Sequence, residues 1–222
     1  MTAPVATLAD GLAAGLIALG EEGDPPGRVE GLLRRYLALL TKWNRVYNLT
    51  AITDPAQMIT HHALDSLSIA APLAALLVQA PAPRVLDVGS GAGLPGIPLA
   101  IARPAWRLTL LDTNSKKTAF IAQAAAELGL SNVTVATARV ESFRAEPFDA
   151  IVSRAFSSLH DFVAQTRSLL APAGWWAAMK GAVPQDELPG LPADVQCRDI
   201  RRLQVPGLAA ERHLLLLKVK TE

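Results

Sequence analysis

Apolar residues recur along this chain with two different periods, and the change of period divides it. From Val29 to Val46 the positions Leu32, Leu33, Tyr36, Leu37, Leu40, Trp43 and Val46 follow at steps of three and four, which predicts an amphipathic helix. Its other face carries Arg34, Arg35, Lys42 and Arg45. Residues 1–20, rich in Ala, Leu and Gly, read as a weak helix, and Gly23-Asp24-Pro25-Pro26-Gly27 reads as a turn that breaks the chain. Asp54-Pro55 has the order of an N-cap followed by a first helical residue, so a helix is expected through His61, His62 and Leu64 toward Ala70. Pro72 opens a further short helix, and Pro81 and Pro83 mark a boundary. Beyond Pro83 the rhythm becomes strand and helix in alternation. Strands are expected over Arg84–Asp87, Leu108–Asp112, Val133–Thr137, Phe148–Ser153, Trp175–Lys180, Val195–Leu203 and His213–Val219. Helices are expected over Leu94–Arg103, Ser115–Leu128 and Leu159–Leu170, with Gly129 ending the second. This alternation predicts an α/β fold, a mostly parallel sheet with helices on both faces. The last two strands lack a good helix between them, so a terminal hairpin is expected.

Composition narrows the class. Of 222 residues, 50% are hydrophobic and 18% charged, enough for a sizeable core. A formal net charge of +1 is not the strong basicity of a protein that coats nucleic acid, so any such contact needs a local patch. Cys197 is the single cysteine, which excludes an internal disulfide and a multi-cysteine metal site. Met1–Asp10 lacks the basic start of a secretory signal, and Ile69–Val78 is too short for a membrane span. A soluble cytoplasmic protein is expected, with no membrane partner.

The run Asp87-Val88-Gly89-Ser90-Gly91-Ala92-Gly93 lies between a strand and a helix, where a doubly wound sheet binds its ligand. Gly89, Gly91 and Gly93 let the backbone turn sharply and approach that ligand. Asp112, ending the second strand, is placed to accept from ribose hydroxyls. Gly91-x-Gly93-x-x-Gly96 formally matches the dinucleotide fingerprint, which leaves an NAD(P)-dependent oxidoreductase as a rival. An acid at Asp87, beside the loop, suits the cationic S-adenosylmethionine better than a pyrophosphate.

Taken together, the motifs resemble the bacterial RsmG/GidB family of 16S ribosomal RNA (guanine-N7) methyltransferases. The resemblance rests on Trp43-Asn44-x-x-Tyr47-Asn48-Leu49-Thr50, His62-x-x-Asp65-Ser66, the glycine loop continued by Leu94-Pro95-Gly96-Ile97-Pro98, and Leu111-Asp112-x-x-x-Lys116. It continues through Arg139-Val140-Glu141, Ser153-Arg154-Ala155-Phe156, Lys180-Gly181 and Leu203-x-Val205-Pro206…Glu211-Arg212-His213. It implies a class I methyltransferase, Rossmann-like fold with a seven-stranded sheet. The chain then divides into an N-terminal helical extension, 1–80, and an S-adenosylmethionine-binding domain, 81–222, able to pack as one unit. It also implies cofactor contacts from Gly89, Leu94, Val140, Glu141 and Arg154, beside Asp87, Gly91, Gly93 and Asp112 from the loop itself. The partner it implies is 16S rRNA within the small ribosomal subunit, with the enzyme acting as a monomer.

Guanine N7 carries a lone pair and no proton, so no acid–base residue is assigned, and positioning and desolvation carry the reaction. Candidates to hold the base are Asn48, Arg154 and Lys180. Capping of the next segment is an equal reading for Asn48, and Arg154 could pair with the cofactor carboxylate or with an RNA phosphate. His62 and Asp65 sit one helical turn apart without an evident third ligand, so they read as a bonded pair or a wall of the site, with no metal. Trp43 and Tyr47 read as core. Basic clusters that could track RNA are those of the first long helix, Lys116 with Lys117, Arg198 with Arg201 and Arg202, and Arg212 with His213. A non-catalytic, cofactor-binding ribosome-assembly factor is the second rival.

Overall fold

A computed structural model describes residues 5–154, 156 and 158–220, with side chains from Gly11 onward. Residues 1–4 of the expected first helix and Ala155 of the Ser-Arg-Ala-Phe run lie outside the described residues. Helices α1 (Val5–Leu19), α2 (Arg28–Tyr47), α3 (Pro55–Met58), α4 (Asp65–Leu67) and α5 (Ala70–Leu76) come first. They are followed by β1 (Arg84–Val88), α6 (Gly96–Ala102), β2 (Arg107–Asp112), α7 (Ser115–Leu128), β3 (Val133–Thr137) and β4 (Phe148–Ser153). The chain ends with α8 (Leu159–Thr166), β5 (Leu170–Lys180), β6 (Val195–Arg202) and β7 (His213–Val219). No helix among the described residues is long and apolar enough to cross a membrane.

The strands form one seven-stranded sheet in the order β3-β2-β1-β4-β5-β7-β6. Neighbours from β3 to β5 pair in parallel, and β7 runs antiparallel to both β5 and β6. The expected terminal hairpin is therefore present. The order reverses between β1 and β4, so the carboxyl ends of these two strands diverge into a crevice. Because β7 is reversed, its beginning at His213 pairs with Lys180 at the end of β5. Residues 153, 180 and 213 thus share one edge of the sheet.

Side chains alternate between the faces with the period of two that a pleated strand imposes. Val85, Leu110, Val152, Ala177 and Leu216 join one core; Leu86, Leu111, Ile151, Trp176 and Leu217 join the other. The first core also takes Leu12 and Leu16 of α1, Leu33, Tyr36 and Leu40 of α2, Ile97 of α6 and Phe120 of α7. The second is closed by Leu159, Phe162 and Val163 of α8. The N-terminal helices therefore share the hydrophobic core of one sheet face. Polar ties reinforce that packing: Arg103 pairs with the buried Glu21 at 2.5 Å, Arg28 Nη2 donates to the Ile101 carbonyl at 2.6 Å, and the Tyr36 hydroxyl donates to the Ala92 carbonyl at 2.6 Å.

Helix ends follow the local chemistry. Asp54 Oδ1 accepts from the Ala56 N–H, as the Asp-Pro order predicts, and Gly129 ends α7 in the left-handed region at φ 68°. Three expectations need correction. The helix expected over Leu159–Leu170 ends as α-helix at Thr166, and the strand expected from Trp175 already begins at Leu170, which pairs with Phe148 of β4. The helix expected from residue 55 to 70 is interrupted by a π-helical segment, Ile59–Leu64, after which Asp65 begins α4. Val46, assigned to the apolar face of α2, is 69% exposed; the helix reaches the end of the surface it packs against about one turn earlier.

Tyr36 is fully buried and its hydroxyl has a buried carbonyl as partner. Tyr36→Phe leaves that carbonyl short of a donor, so urea unfolding should show a loss of about 1–2 kcal/mol with an unchanged m-value.

Candidate active site

The glycine loop is shaped by two carboxylates at the ends of adjacent strands. Asp87 Oδ2 accepts from the Gly96 N–H at 2.9 Å, fastening the start of α6 to β1. Asp112 Oδ2 accepts from the Gly91 N–H at 2.9 Å, and its Oδ1 accepts from the Asn114 N–H at 2.8 Å, fastening the loop to the end of β2. The glycines serve two distinct needs. At Gly89, with φ 71°, a Cβ would meet nothing within 4 Å, so the requirement there is backbone conformation. At Gly96 a Cβ would lie 2.6 Å from Leu110 Cγ and 2.8 Å from Asp87 Oδ2, so the requirement is close packing of helix on strand.

Asp87 is fully buried, and its Oδ1 has no hydrogen-bond partner. Burial, opposed by the Gly96 N–H and the Arg154 charge, raises its pKa from 3.8 to about 7. The carboxyl thus lies beneath the loop. Leu94 is also buried, and Gly93 packs its Cα against Ile97, where a Cβ would come to 2.7 Å of Cγ1.

Above the loop lies a cleft of about 470 Å³. Gly89, Asp112, Val140 and Glu141 line it, as do Lys117 and Phe156. Four of the sequence-selected residues therefore come together on one wall. Asp87, Gly91, Gly93 and Leu94 are not among the residues that line it.

Arg154 lines a second cavity, of about 360 Å³, together with His62, Asp65, Lys180 and Arg212. Arg154 Nη1 donates to the His61 carbonyl at 2.9 Å and to Asp65 Oδ2 at 3.2 Å. Arg212 Nε donates to the other oxygen, Asp65 Oδ1, at 2.9 Å. Lys180 Nζ donates to Glu187 at 3.1 Å and to the Phe156 carbonyl at 3.5 Å. The segment after β4 contributes to both spaces: Arg154 lines one, and Phe156 lines the other. His62 Nε2 meets Thr50 Oγ1 at 2.9 Å, and burial, aided by Arg154, lowers its pKa from 6.5 to about 4, keeping the ring neutral. Among the described residues no group of three or more His, Cys, Asp or Glu could hold a metal ion.

Asn48 stands apart from both cavities. It is exposed and forms the left-handed C-cap of α2 at φ 49°, its N–H donating to the Asn44 carbonyl. The cap it makes ends the helix before it. Trp43 packs partly buried against Phe120, with centroids 5.6 Å apart, whereas Tyr47 is 43% exposed. Glu187 and the Tyr36 hydroxyl are not selected by the sequence as parts of the site, and Arg212 is selected only as a member of a basic cluster, without its partner Asp65. Their partners lie at separations of 147 residues for Arg212 with Asp65 and 56 for Tyr36 with Ala92, and no local pattern signals such pairings. Of the basic clusters, Lys117 and Arg212 reach the two cavities, while Arg34 pairs with Glu30 and Arg201 with Asp199.

The raised pKa of Asp87 gives a pH signature. A folded pKa above the unfolded one contributes stability that is full below about pH 4 and is lost as pH rises through 7. Asp87→Asn removes this loss, so between pH 5 and 8 its stability relative to the parent protein should rise with pH in denaturant titrations of ligand-free protein.

The family model described as rRNA small subunit methyltransferase G, GidB, matches residues 30–215. The ribosomal RNA small subunit methyltransferase G of Laribacter hongkongensis is 52% identical over 214 residues, which cover 96% of this chain and 99% of that protein. Its namesake from Janthinobacterium sp. is 54% identical over 188 residues, 82% of this chain and 83% of that one. Among solved structures, the O-methyltransferase TomG from Streptomyces achromogenes, in complex with SAM, superposes with a TM-score of 0.55 at 18% identity, over 84% of this chain and 90% of that one. TrmN from Thermus thermophilus gives 0.53 at 22% identity, over 73% and 53%. At these identities the two structures share the fold. The match of a family model to residues 30–215, with relatives about half identical along nearly the whole length, places this chain in the GidB family, rRNA small subunit methyltransferase G.

Proposed function

We propose that this protein transfers the methyl group of S-adenosylmethionine to N7 of a guanine in 16S rRNA of the small ribosomal subunit. The observation that carries the reading is a glycine-loop cleft lined by Gly89, Asp112, Val140, Glu141 and Phe156, with an arginine-lined cavity whose Arg154 lies two residues before Phe156 in the chain. The names of the relatives supply the RNA class, and the chemistry of N7 supplies the absence of a required base.

The residues fit the cofactor. Each Asp112 oxygen is engaged by one backbone N–H and retains a lone pair for a ribose hydroxyl. Leu111 and Val140 offer apolar surface for an adenine, and the bare Gly89 lets it lie close. S-adenosylmethionine, when bound, supplies an electrophilic methyl group on a sulfonium. Asp87 holds the loop that this ligand would rest on. Arg154, fixed by Asp65, presents a cation to an incoming RNA strand, and Lys180, paired with Glu187, lines the same cavity. The neutral His62 adds bulk and one ring nitrogen without adding charge. Nothing in this arrangement needs to remove a proton, because N7 has none. The reading includes a cytoplasmic enzyme, since its substrate is a ribosomal particle, and takes the enzyme to act as a monomer. An oxidoreductase is disfavoured by family membership. The assembly-factor reading is separated by whether label enters the RNA.

With labelled cofactor and small subunits isolated from cells lacking the gene, label should enter 16S rRNA and give a borohydride- and aniline-sensitive site, the signature of N7-methylguanosine. Stable incorporation without strand scission would exclude N7. Gly91→Val places a β-branched residue at φ 58°, so calorimetry with S-adenosylhomocysteine should show affinity falling roughly tenfold or more, while a backbone strain of about 1–3 kcal/mol still leaves the protein folded.

A further inference from the structure

Asp65 is the most deeply buried charge at the mouth of the second cavity. Its side chain is 2% exposed, and it is shared by two guanidinium groups that are 28% and 24% exposed. One carboxylate against two arginines leaves an excess of one positive charge. Lys180 does not change this balance, because Glu187 neutralises it, and His62 is kept uncharged. Arg154 spends Nη1 on Asp65 and on the His61 carbonyl; Arg212 spends Nε on Asp65 and Nη1 on the Glu211 carbonyl. Arg154 Nε and Nη2 and Arg212 Nη2 have no hydrogen bond to a described residue. Two preoriented guanidinium groups lining one cavity, a net positive charge and N–H donors without a described partner are the elements of a phosphate seat.

We propose that Arg154 and Arg212, held as a pair by the buried carboxylate of Asp65, bind a backbone phosphate of the RNA strand next to the target base. Asp65 is then a positioning residue acting through the two arginines. This rests on the RNA methyltransferase reading and adds the subsite that grips the strand. The fold explains why three distant parts of the chain supply it. The π-helical segment supplies the His61 carbonyl and leads into α4, whose first residue is Asp65; Arg154 directly follows β4, and Arg212 directly precedes the reversed β7, at the same sheet edge. A phosphate there completes the charge balance of the cavity.

The test compares the parent protein with Arg212→Gln and Arg212→Lys, measuring methyl transfer to small subunits over a range of subunit and salt concentrations. Arg212→Gln should raise KM for the subunit roughly tenfold or more, the loss expected for one charge-assisted bond. The slope of log kcat/KM against log salt should become shallower by about one, since one phosphate contact is lost. Arg212→Lys should restore the salt slope and part of the affinity, and S-adenosylhomocysteine affinity should stay within twofold in both variants. Asp65→Asn should reproduce the rise in KM; if it does not fold, the Arg212 variants decide. An unchanged KM and salt slope, or a parallel fall in S-adenosylhomocysteine affinity, overturns the proposal. A parent protein that transfers no methyl group overturns the enzymatic reading instead. The phosphate seat is then judged by direct binding to the same subunits, where Arg212→Gln must weaken binding and flatten its salt dependence.

Discussion

Asp87 and Asp112 give the glycine loop its shape by accepting backbone N–H groups that would otherwise be unpaired. A loop with three glycines at positive φ has many conformations open to it, and its entropy opposes any single one. Each carboxylate removes part of that freedom by fixing one N–H of the loop or of the helix that follows. The remaining acceptor capacity of Asp112 faces the cleft, whereas Asp87 is sealed beneath. Structural and ligand-facing duties are thus divided between two acids of the same type.

A second layer of support comes from the N-terminal helices. They share the core of one sheet face, and Tyr36 reaches the loop itself through the Ala92 carbonyl. The extension therefore sets the position of the backbone that a cofactor would touch. Through the π-helical segment it also reaches the second cavity, where Asp65 and His62 stand in the wall. One helical layer braces both spaces.

Charge in the second cavity is arranged by pairing. Asp65 engages two arginines, Glu187 engages Lys180, and His62 is neutral because protonation would cost burial energy next to Arg154. The net excess is small and localised, in keeping with a chain of net charge +1. Such a site holds an anion by the geometry of its donors, with little contribution from the overall field of the protein.

The strands and long helices were legible in the sequence because each is decided by local period. Val133–Thr137, Phe148–Ser153, Ser115–Leu128 and His213–Val219 lie where alternation and helical spacing put them. The cleft residues Gly89, Asp112, Val140 and Glu141 could be selected because a parallel sheet gathers strand ends at one edge. Other features depended on tertiary structure. The π-helical segment arises in a stretch whose local pattern reads as plain helix. The sealed position of Asp87 depends on α6 packing over it. The meeting of Asp65 with Arg154 and Arg212 depends on strand order and on the reversal of β7, which no spacing along the chain encodes. The sequence by itself determined the elements and the loop, through short-range sterics and periodic burial. Only the tertiary structure decided which charges share a cavity, because that depends on contacts between residues 89 and 147 positions apart.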